Sequence, residues 1–374
     1  MTQSPDVIVI GGGIIGLSIA REAALSGLST HLIEQGEPGC GSSSAAAGML
    51  MPHIENIRSS PLQPLALESR RLYGEFIDRV MRESGLDPHL LNEGSVLLAR
   101  SDEEDAAIDT RASHLRESGL RVERLTPEDL ARLEPGLAAG LTGGLLLSDD
   151  ASVDNVILVR ALHRAALRAG ARIESGVRVR RLHTDHGRIV GVESDSGRCP
   201  AGVVVVAAGA WSGNLHAEEM PTPPTHPVRG QIVCLQPDTS PIRRIISVGP
   251  IYLVRRHDGR ILIGSTMERV GFDTTTTAEG IATLLRDGLA LVPALRRATL
   301  HSAWAGLRPA TEDGLPAIGP GALPGLLYAT GHLRHGILLA PITARLIVRL
   351  LRGENVGWDL SPFDPCRLVS TPAG

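Results

Sequence analysis

Hydrophobic residues along the chain fall into two rhythms. The first is a short unbroken apolar run, Val7-Ile8-Val9-Ile10, of the length and β-branched content of a strand buried on both faces. A helical period follows over Ile15–Ser26, with Ile15, Ile19 and Ala23 on one face, and Gly27 supplies a glycine just past its end. A second apolar run, Thr30-His31-Leu32-Ile33, then reads as another strand. Helical spacing returns over Leu62–Ser84, Asp102–Ser118, Asn155–Ala169, Ala278–Leu291 and Leu338–Leu351. Strand character appears at Ser95–Ala99, Arg172–Glu174, Val177–His183, Ile189–Ser194 and Val203–Ala207, the last two joined by a turn at Ser196-Gly197. Further strands are expected at Gln231–Leu235, Ile251–Arg255, Arg260–Gly264, Thr299–Trp304 and Leu326–Ala329. A hairpin turn falls at His257-Asp258-Gly259, and the proline-dense passage Pro221–Pro227 reads as a domain crossing. Helices alternate with strands early and strands cluster late, which predicts an α/β protein with an added antiparallel sheet.

At 374 residues the chain exceeds one ordinary core and suits two packed domains. Its net charge of −4 provides no electrostatic footprint for nucleic acid. The N-terminus lacks a basic region before its apolar run and does not read as a signal peptide. The apolar stretch from Gly336 to Leu351 is broken by Pro341, Arg345 and Arg349, so no membrane span is expected. Cys40, Cys199, Cys234 and Cys366 are widely spaced, with neither a CxxC nor a metal-ligand pattern; they read as reduced thiols of a cytoplasmic protein. Aromatic residues are 2% of the chain, so a ligand pocket will contain few stacking rings.

The chemistry begins at Gly11-Gly12-Gly13-Ile14-Ile15-Gly16, which satisfies G-x-G-x-x-G directly after the first strand. Gly11 permits the tight turn, Gly13 admits a pyrophosphate against the backbone, and Gly16 lets the helix pack close to the strand. The helix N-terminus would face the diphosphate, and Glu34, at the end of the next strand, is placed to accept ribose hydroxyls. This segment alone admits a nicotinamide or a flavin dinucleotide. The small-residue run Gly39–Met49 favours the flavin, because it suits backbone laid along an extended cofactor where a nicotinamide-binding domain would enter its next helix. Val203–Ala207, running into Ala208-Gly209, offers a second close approach. Arg308, followed by Pro309, is expected to project from a strand end into a cleft, where its guanidinium can clamp a carboxylate through two parallel bonds.

These segments resemble the glycine oxidase branch of the D-amino-acid oxidase (DAO) superfamily of FAD-dependent oxidoreductases. The resemblance rests on Val9–Ser18, Ala45-Ala46-Ala47-Gly48-Met49-Leu50 and Val206–Ser212. It also rests on Ala305-Gly306-Leu307-Arg308-Pro309 with Asp313–Pro316, and on Gly331–Pro341. It implies a Rossmann-like FAD domain of the glutathione-reductase type, residues 1–85, 150–220 and 305–365, and an antiparallel-sheet substrate domain, residues 86–149 and 221–304. FAD would be bound non-covalently, since Pro309-Ala310-Thr311 offers no cysteine. Its implied contacts are Gly11, Gly13, Ile14, Ile15, Gly16, Glu34 and Gln35, then Ser42, Ser43, Ser44, Ala46, Ala47, Gly48 and Met49. Val177, Ala208, Gly209, Trp211 and Arg308 follow, with His332, Leu333, Arg334, His335, Gly336, Ile337 and Leu338. The substrate would meet Arg308, Arg334, Tyr252, Met267 and Met49. His335 stands where the family usually has asparagine, and Arg255 where proline is common; both leave the substrate's identity open.

The implied activity is oxidation of glycine to glyoxylate, ammonia and hydrogen peroxide with molecular oxygen, supplying thiazole synthesis in thiamine assembly. Oxidation of N-substituted glycines and a quinone-linked D-amino-acid dehydrogenase are the alternatives. No side-chain base is required, and His332 and His335 are read as structural or flavin-adjacent. No metal, nucleic acid or membrane partner is expected, and homo-oligomerisation is left open.

Overall fold

The computed structural model describes residues 4–52, 60–215 and 225–368. A six-stranded sheet is ordered Ala317–Pro320, Leu326–Thr330, Val203–Val206, Val7–Ile10, Thr30–Ile33, Arg172–Glu174. All its pairs are parallel except the outermost one, Ala317–Pro320 with Leu326–Thr330. Strand alternation divides the sheet's apolar residues between two cores. Val7, Val9, Leu32 and Val205 join the helices Ile14–Leu25, Leu62–Ser84, Asn155–Arg168 and Gly336–Leu351. Ile8, Ile10, Val204 and Val206 join residues of a three-stranded antiparallel sheet, Val179–Asp185, Arg188–Ser194 and Gly197–Pro200, on the other face.

The expected turn at Ser196-Gly197 is therefore corrected. It connects Arg188–Ser194 to the short strand Gly197–Pro200, and Val203–Val206 leaves that sheet to join the parallel one. Gly197 has φ +104°, which a side chain would resist.

A second sheet of eight strands is ordered Thr299–Ala310, His226–Gln236, Ile261–Gly264, Ile251–Arg255, Ile245–Val248, Ser95–Ala99, Gly143–Leu147, Val122–Leu125. It is antiparallel except between Ile245–Val248 and Ser95–Ala99, which run parallel. The hairpin at His257-Asp258-Gly259 joins Ile251–Arg255 to Ile261–Gly264. Of the expected domain crossing, residues 221–224 lie outside the described residues, and Pro227 is already within a strand.

Thr299–Ala310 does not stop before Pro309. It is an edge strand, and Pro309 lies opposite Pro227 in the ladder, so neither missing N–H has to donate to the other. Arg308 thus projects from within a strand, not from its end. The strand also crosses the domain boundary expected at 305.

The helix Gly336–Leu351 contains Pro341, which deprives the Ile337 carbonyl of its partner four residues on. The buried Tyr73 hydroxyl donates to that carbonyl at 2.7 Å, and Ser69 Oγ donates to Leu338 O at 2.6 Å. Arg21, fully buried in the first helix, pairs with Glu83 at the far end of Leu62–Ser84 and donates to Glu22 at 2.5 Å. These polar contacts register three helices against one another. Tyr73→Phe should lower stability by about 1–3 kcal/mol in urea unfolding, because it orphans a buried carbonyl. In a Pro341→Ala background the helix supplies its own donor, and the penalty should fall; an equal penalty there would show that Tyr73 acts by packing alone.

Candidate active site

The glycine turn is fixed by backbone packed on backbone. Gly11 has φ +107°, and a Cβ there would lie 2.5 Å from the Ala207 carbonyl oxygen. A Cβ at Gly16 would lie 1.9 Å from Gly11 O, so the helix can cross this strand end only with glycine at that position. Gly13 is the helix N-cap and has no side chain to cover the first-turn amides. Glu34 accepts from Gly12 N at 2.6 Å and from Gly36 N at 2.8 Å, holding its carboxylate beside the turn.

One cavity opens at the carboxyl ends of the parallel strands, and a second lies against the eight-stranded sheet. The first, of about 330 Å³, is lined by Gly11, Gly13, Ile14, Ile15, Glu34 and Gln35 of the glycine turn region. Val177, Ala208, Gly209, Trp211, His332 and Gly336 line it as well. The second, of about 520 Å³, is lined by Ala47, Gly48, Met49, Tyr252, Arg308, His335 and Leu338. Ser42, Ala46, Leu333, Arg334 and Ile337 line both, so the two chambers meet along these residues. Ser43 lines the first, and its Oγ accepts from Ile14 N at 2.9 Å.

Three expected residues line neither cavity. Gly16 is spent on close packing beneath the turn. Ser44 bonds Gly39 O at 2.5 Å. Met267 is half exposed and touches the Arg334 guanidinium with its sulfur.

The segment 42–48 is the wall between the chambers, and it is held from several directions. Ser42 Oγ donates to Leu307 O, Trp304 Nε1 to Ala45 O at 3.0 Å, and Val153 N to Gly48 O at 2.9 Å. Gly306 lets the edge strand approach, since a Cβ there would lie 2.4 Å from Ala45 Cβ.

Arg308 donates from Nη2 to Ser265 Oγ at 2.7 Å and from Nη1 to Thr266 O at 3.1 Å. Burial lowers its pKa most; Tyr252 opposes that shift and Arg334 adds to it by repulsion. Gly230, opposite Gly306 in the ladder, makes room for it: a Cβ there would lie 2.2 Å from the guanidinium nitrogens. Gly264 does the same for the Tyr252 hydroxyl, at 2.4 Å. These two glycines and Arg111 on the second cavity's wall were not expected from the sequence. A glycine that serves a neighbouring strand leaves no local pattern, and Arg111 sits in a helix that reads as surface. Among the described residues lining the second cavity there are three arginines, Arg111, Arg308 and Arg334, and no carboxylate. Such a chamber attracts a small anion.

The first cavity has the parts a dinucleotide needs: an acid beside a glycine turn, a helix start capped by glycine and an elongated lining of small residues. Residues 6–350 match the family model DAO, FAD dependent oxidoreductase, and the chain belongs to that family. It is thus an FAD-dependent oxidoreductase by fold and by family.

Among curated relatives, the glycine oxidase of Geobacillus kaustophilus is 35% identical over 99% of this chain and 98% of its own length. The crystal structure of that species' glycine oxidase superposes with a TM-score of 0.95 at 34% identity, covering 99% of this chain and all of that one. The bifunctional protein ThiO/ThiG of Synechocystis sp. is also 35% identical over 99% of this chain, which spans only 55% of that longer protein. Iminodiacetate oxidase from Chelativorans sp. superposes with a TM-score of 0.87 at 28% identity, covering 96% of this chain and 98% of that one. No helix among the described residues is long and apolar enough to cross a membrane.

His332 is buried with Nε2 3.1 Å from Thr343 Oγ1, and burial, reinforced by His335, lowers its pKa to about 3. It therefore stays neutral where an unfolded histidine, near pKa ~6.5, takes a proton. Between those values the unfolded chain binds more protons, so stability must rise with pH. His332→Gln should flatten the fall in melting temperature below roughly pH 6.5 by up to one proton's worth of slope. An unchanged slope would mean that His332 protonates while folded.

Proposed function

We propose that the chain is a glycine oxidase, holding the substrate carboxylate on Arg308 and converting glycine, water and oxygen to glyoxylate, ammonia and hydrogen peroxide. The observation that carries this is the convergence of Arg308, Arg111 and Arg334 in a chamber with no carboxylate among its described lining residues, which meets the cofactor cavity along Ser42, Ala46, Leu333, Arg334 and Ile337. FAD, when bound, supplies the hydride acceptor. The residues around it bind and orient. Ser265, Thr266 O and Tyr252 aim the Arg308 guanidinium, which can then take a carboxylate through two parallel bonds. Arg334, steadied against Met267, adds a second positive charge at the mouth. Fixing the carboxylate confines the α-carbon to one approach, and alignment of this kind supplies much of a rate enhancement.

No carboxylate among the described residues lining the second cavity offers itself as a general base. The substrate amine is left to lose its proton through desolvation, which disfavours the ammonium form. Water then releases the product from the oxidised carbon–nitrogen bond. In this reading residues 1–85, 150–220 and 305–365 carry FAD and residues 86–149 and 221–304 carry the substrate; Gly11, Gly13, Glu34, Ser43 and Trp211 hold the dinucleotide.

One observation favours a wider substrate range. The second cavity reaches from Arg308 on the edge strand to Leu97, five strands away in the same sheet, a span on the order of 20 Å. Ser247, Pro250 and Arg111 line its far part. Even with a flavin ring filling part of it, a nitrogen substituent has room there, so N-substituted glycines are the second reading. The Chelativorans neighbour is named for iminodiacetate, an N-substituted glycine.

Oxygen-electrode assays with glycine, sarcosine and larger N-alkylglycines separate the two readings by their kcat/KM ratios. Dye reduction without peroxide release would point instead to a quinone-linked dehydrogenase. Arg308→Ala leaves a bound carboxylate unpaired, a cost of roughly 2–5 kcal/mol, or about thirtyfold to several thousandfold in kcat/KM. FAD content should be unchanged. Parent-like kinetics in this variant would remove Arg308 from the site.

A further inference from the structure

Arg256 lies where the strand Ile251–Arg255 ends, and it is only 6% exposed. It lines neither cavity. Its Nη1 donates to Val153 O at 2.7 Å, and its Nη2 donates to Asn155 Oδ1 at 2.5 Å and to Ala46 O at 3.5 Å. Asn155, fully buried at the start of the helix Asn155–Arg168, turns its Nδ2 to Ser43 O at 2.6 Å and Ser44 O at 3.1 Å. Ser43 in turn accepts from Ile14 N at the head of the first helix. One line of hydrogen bonds thus runs from the eight-stranded sheet, through a buried guanidinium and a buried amide, to the glycine turn of the other sheet.

The three acceptors of this guanidinium, Val153 O, Ala46 O and Asn155 Oδ1, are all neutral. The adjacent acid, Asp154, uses Oδ1 to cap its own helix at Val156 N and Ile157 N, and its Oδ2 lies 3.8 Å from His257 Nδ1. Burying a cation on such terms is costly, and a packed apolar side chain would often be as stable or more so. The arrangement asks for a reason beyond packing. Gly48 keeps the path open, since a Cβ there would lie 3.0 Å from Arg256 Nη1 and 2.1 Å from Val153 O.

We infer that Arg256 and Asn155 are positioning residues for the cofactor, setting the wall segment 42–48 against FAD. They draw the carbonyls of Ser43, Ser44 and Ala46 away from the chambers, and so fix which face of that segment FAD meets. This rests on the first cavity being the FAD site.

The test uses Asn155→Asp, Arg256→Met and the double variant, each stripped of FAD and titrated with it while flavin fluorescence and the visible absorption band are followed. Asn155→Asp keeps an acceptor for Arg256 but loses the donor to Ser43 and Ser44. It should weaken FAD binding at least tenfold and shift the flavin band, with thermal unfolding of the FAD-free protein close to the parent's. Arg256→Met should weaken binding to a similar degree, and the double variant no more than the worse single one, because the two act in series. Arg256→Lys keeps a charge with less bonding and should recover part of the loss; it also serves if the methionine variant fails to fold. Parent-like FAD affinity and spectrum in Asn155→Asp, or losses in the double variant equal to the sum of the singles, would overturn the inference. A parent protein that takes up no FAD would refute the reading of the cavity itself, a separate result.

Discussion

The constraint on which the rest depends is a backbone contact at the end of the first strand. Gly16 leaves 1.9 Å between an absent Cβ and the Gly11 carbonyl oxygen, and Gly11 abuts Ala207 in the same way. Because those atoms touch, the first helix starts directly at the strand ends, Glu34 reaches the turn, and Ala208-Gly209 closes the groove from the other side. The cavity that results is narrow, lined by small residues and headed by a helix N-terminus. Any larger residue at Gly16 would push the helix off the sheet and remove the groove.

The second sheet contributes chemistry of a different kind. It places Arg308 where the groove ends, and no carboxylate is among the described residues lining that chamber. The same principle is used twice: Gly230 clears space for Arg308, and Gly264 clears space for Tyr252. An edge strand carries the central guanidinium, which allows Pro309 to follow it directly and lets Leu307, its neighbour, accept the Ser42 hydroxyl. In the proposed reading, anion binding and cofactor placement are joined through adjacent residues of one strand.

Much of this was legible in the chain because the strongest elements are also the most periodic. Val7–Ile10, Thr30–Ile33, Leu62–Ser84, Ser95–Ala99 and Ala278–Leu291 fall where the apolar rhythm places them. Val122–Leu125 was missed because two adjacent charges, Glu123 and Arg124, break the apolar alternation of a four-residue edge strand, and Ala317–Pro320 because glycine and proline occupy half of it. Ile245–Val248 is only four residues long and directly follows two arginines, so its apolar run is too short to stand out. Within the site, Arg308 was marked by its neighbours in sequence. Arg111, Gly230, Gly264, Asn155 and Arg256 act across long separations, and their importance comes only from what the fold brings beside them. Met267 was placed in the pocket by resemblance, yet its side chain supports Arg334 from outside.

The central claim is that an electron-accepting flavin lies in the groove with its reactive ring against the chamber of arginines. Anaerobic addition of glycine or an N-substituted glycine to the purified yellow protein, followed by visible absorbance, tests this most directly. The account predicts bleaching of the flavin band and recovery of colour on admitting air. A folded protein that stays colourless with added FAD, or a flavin that no glycine derivative bleaches, would contradict it.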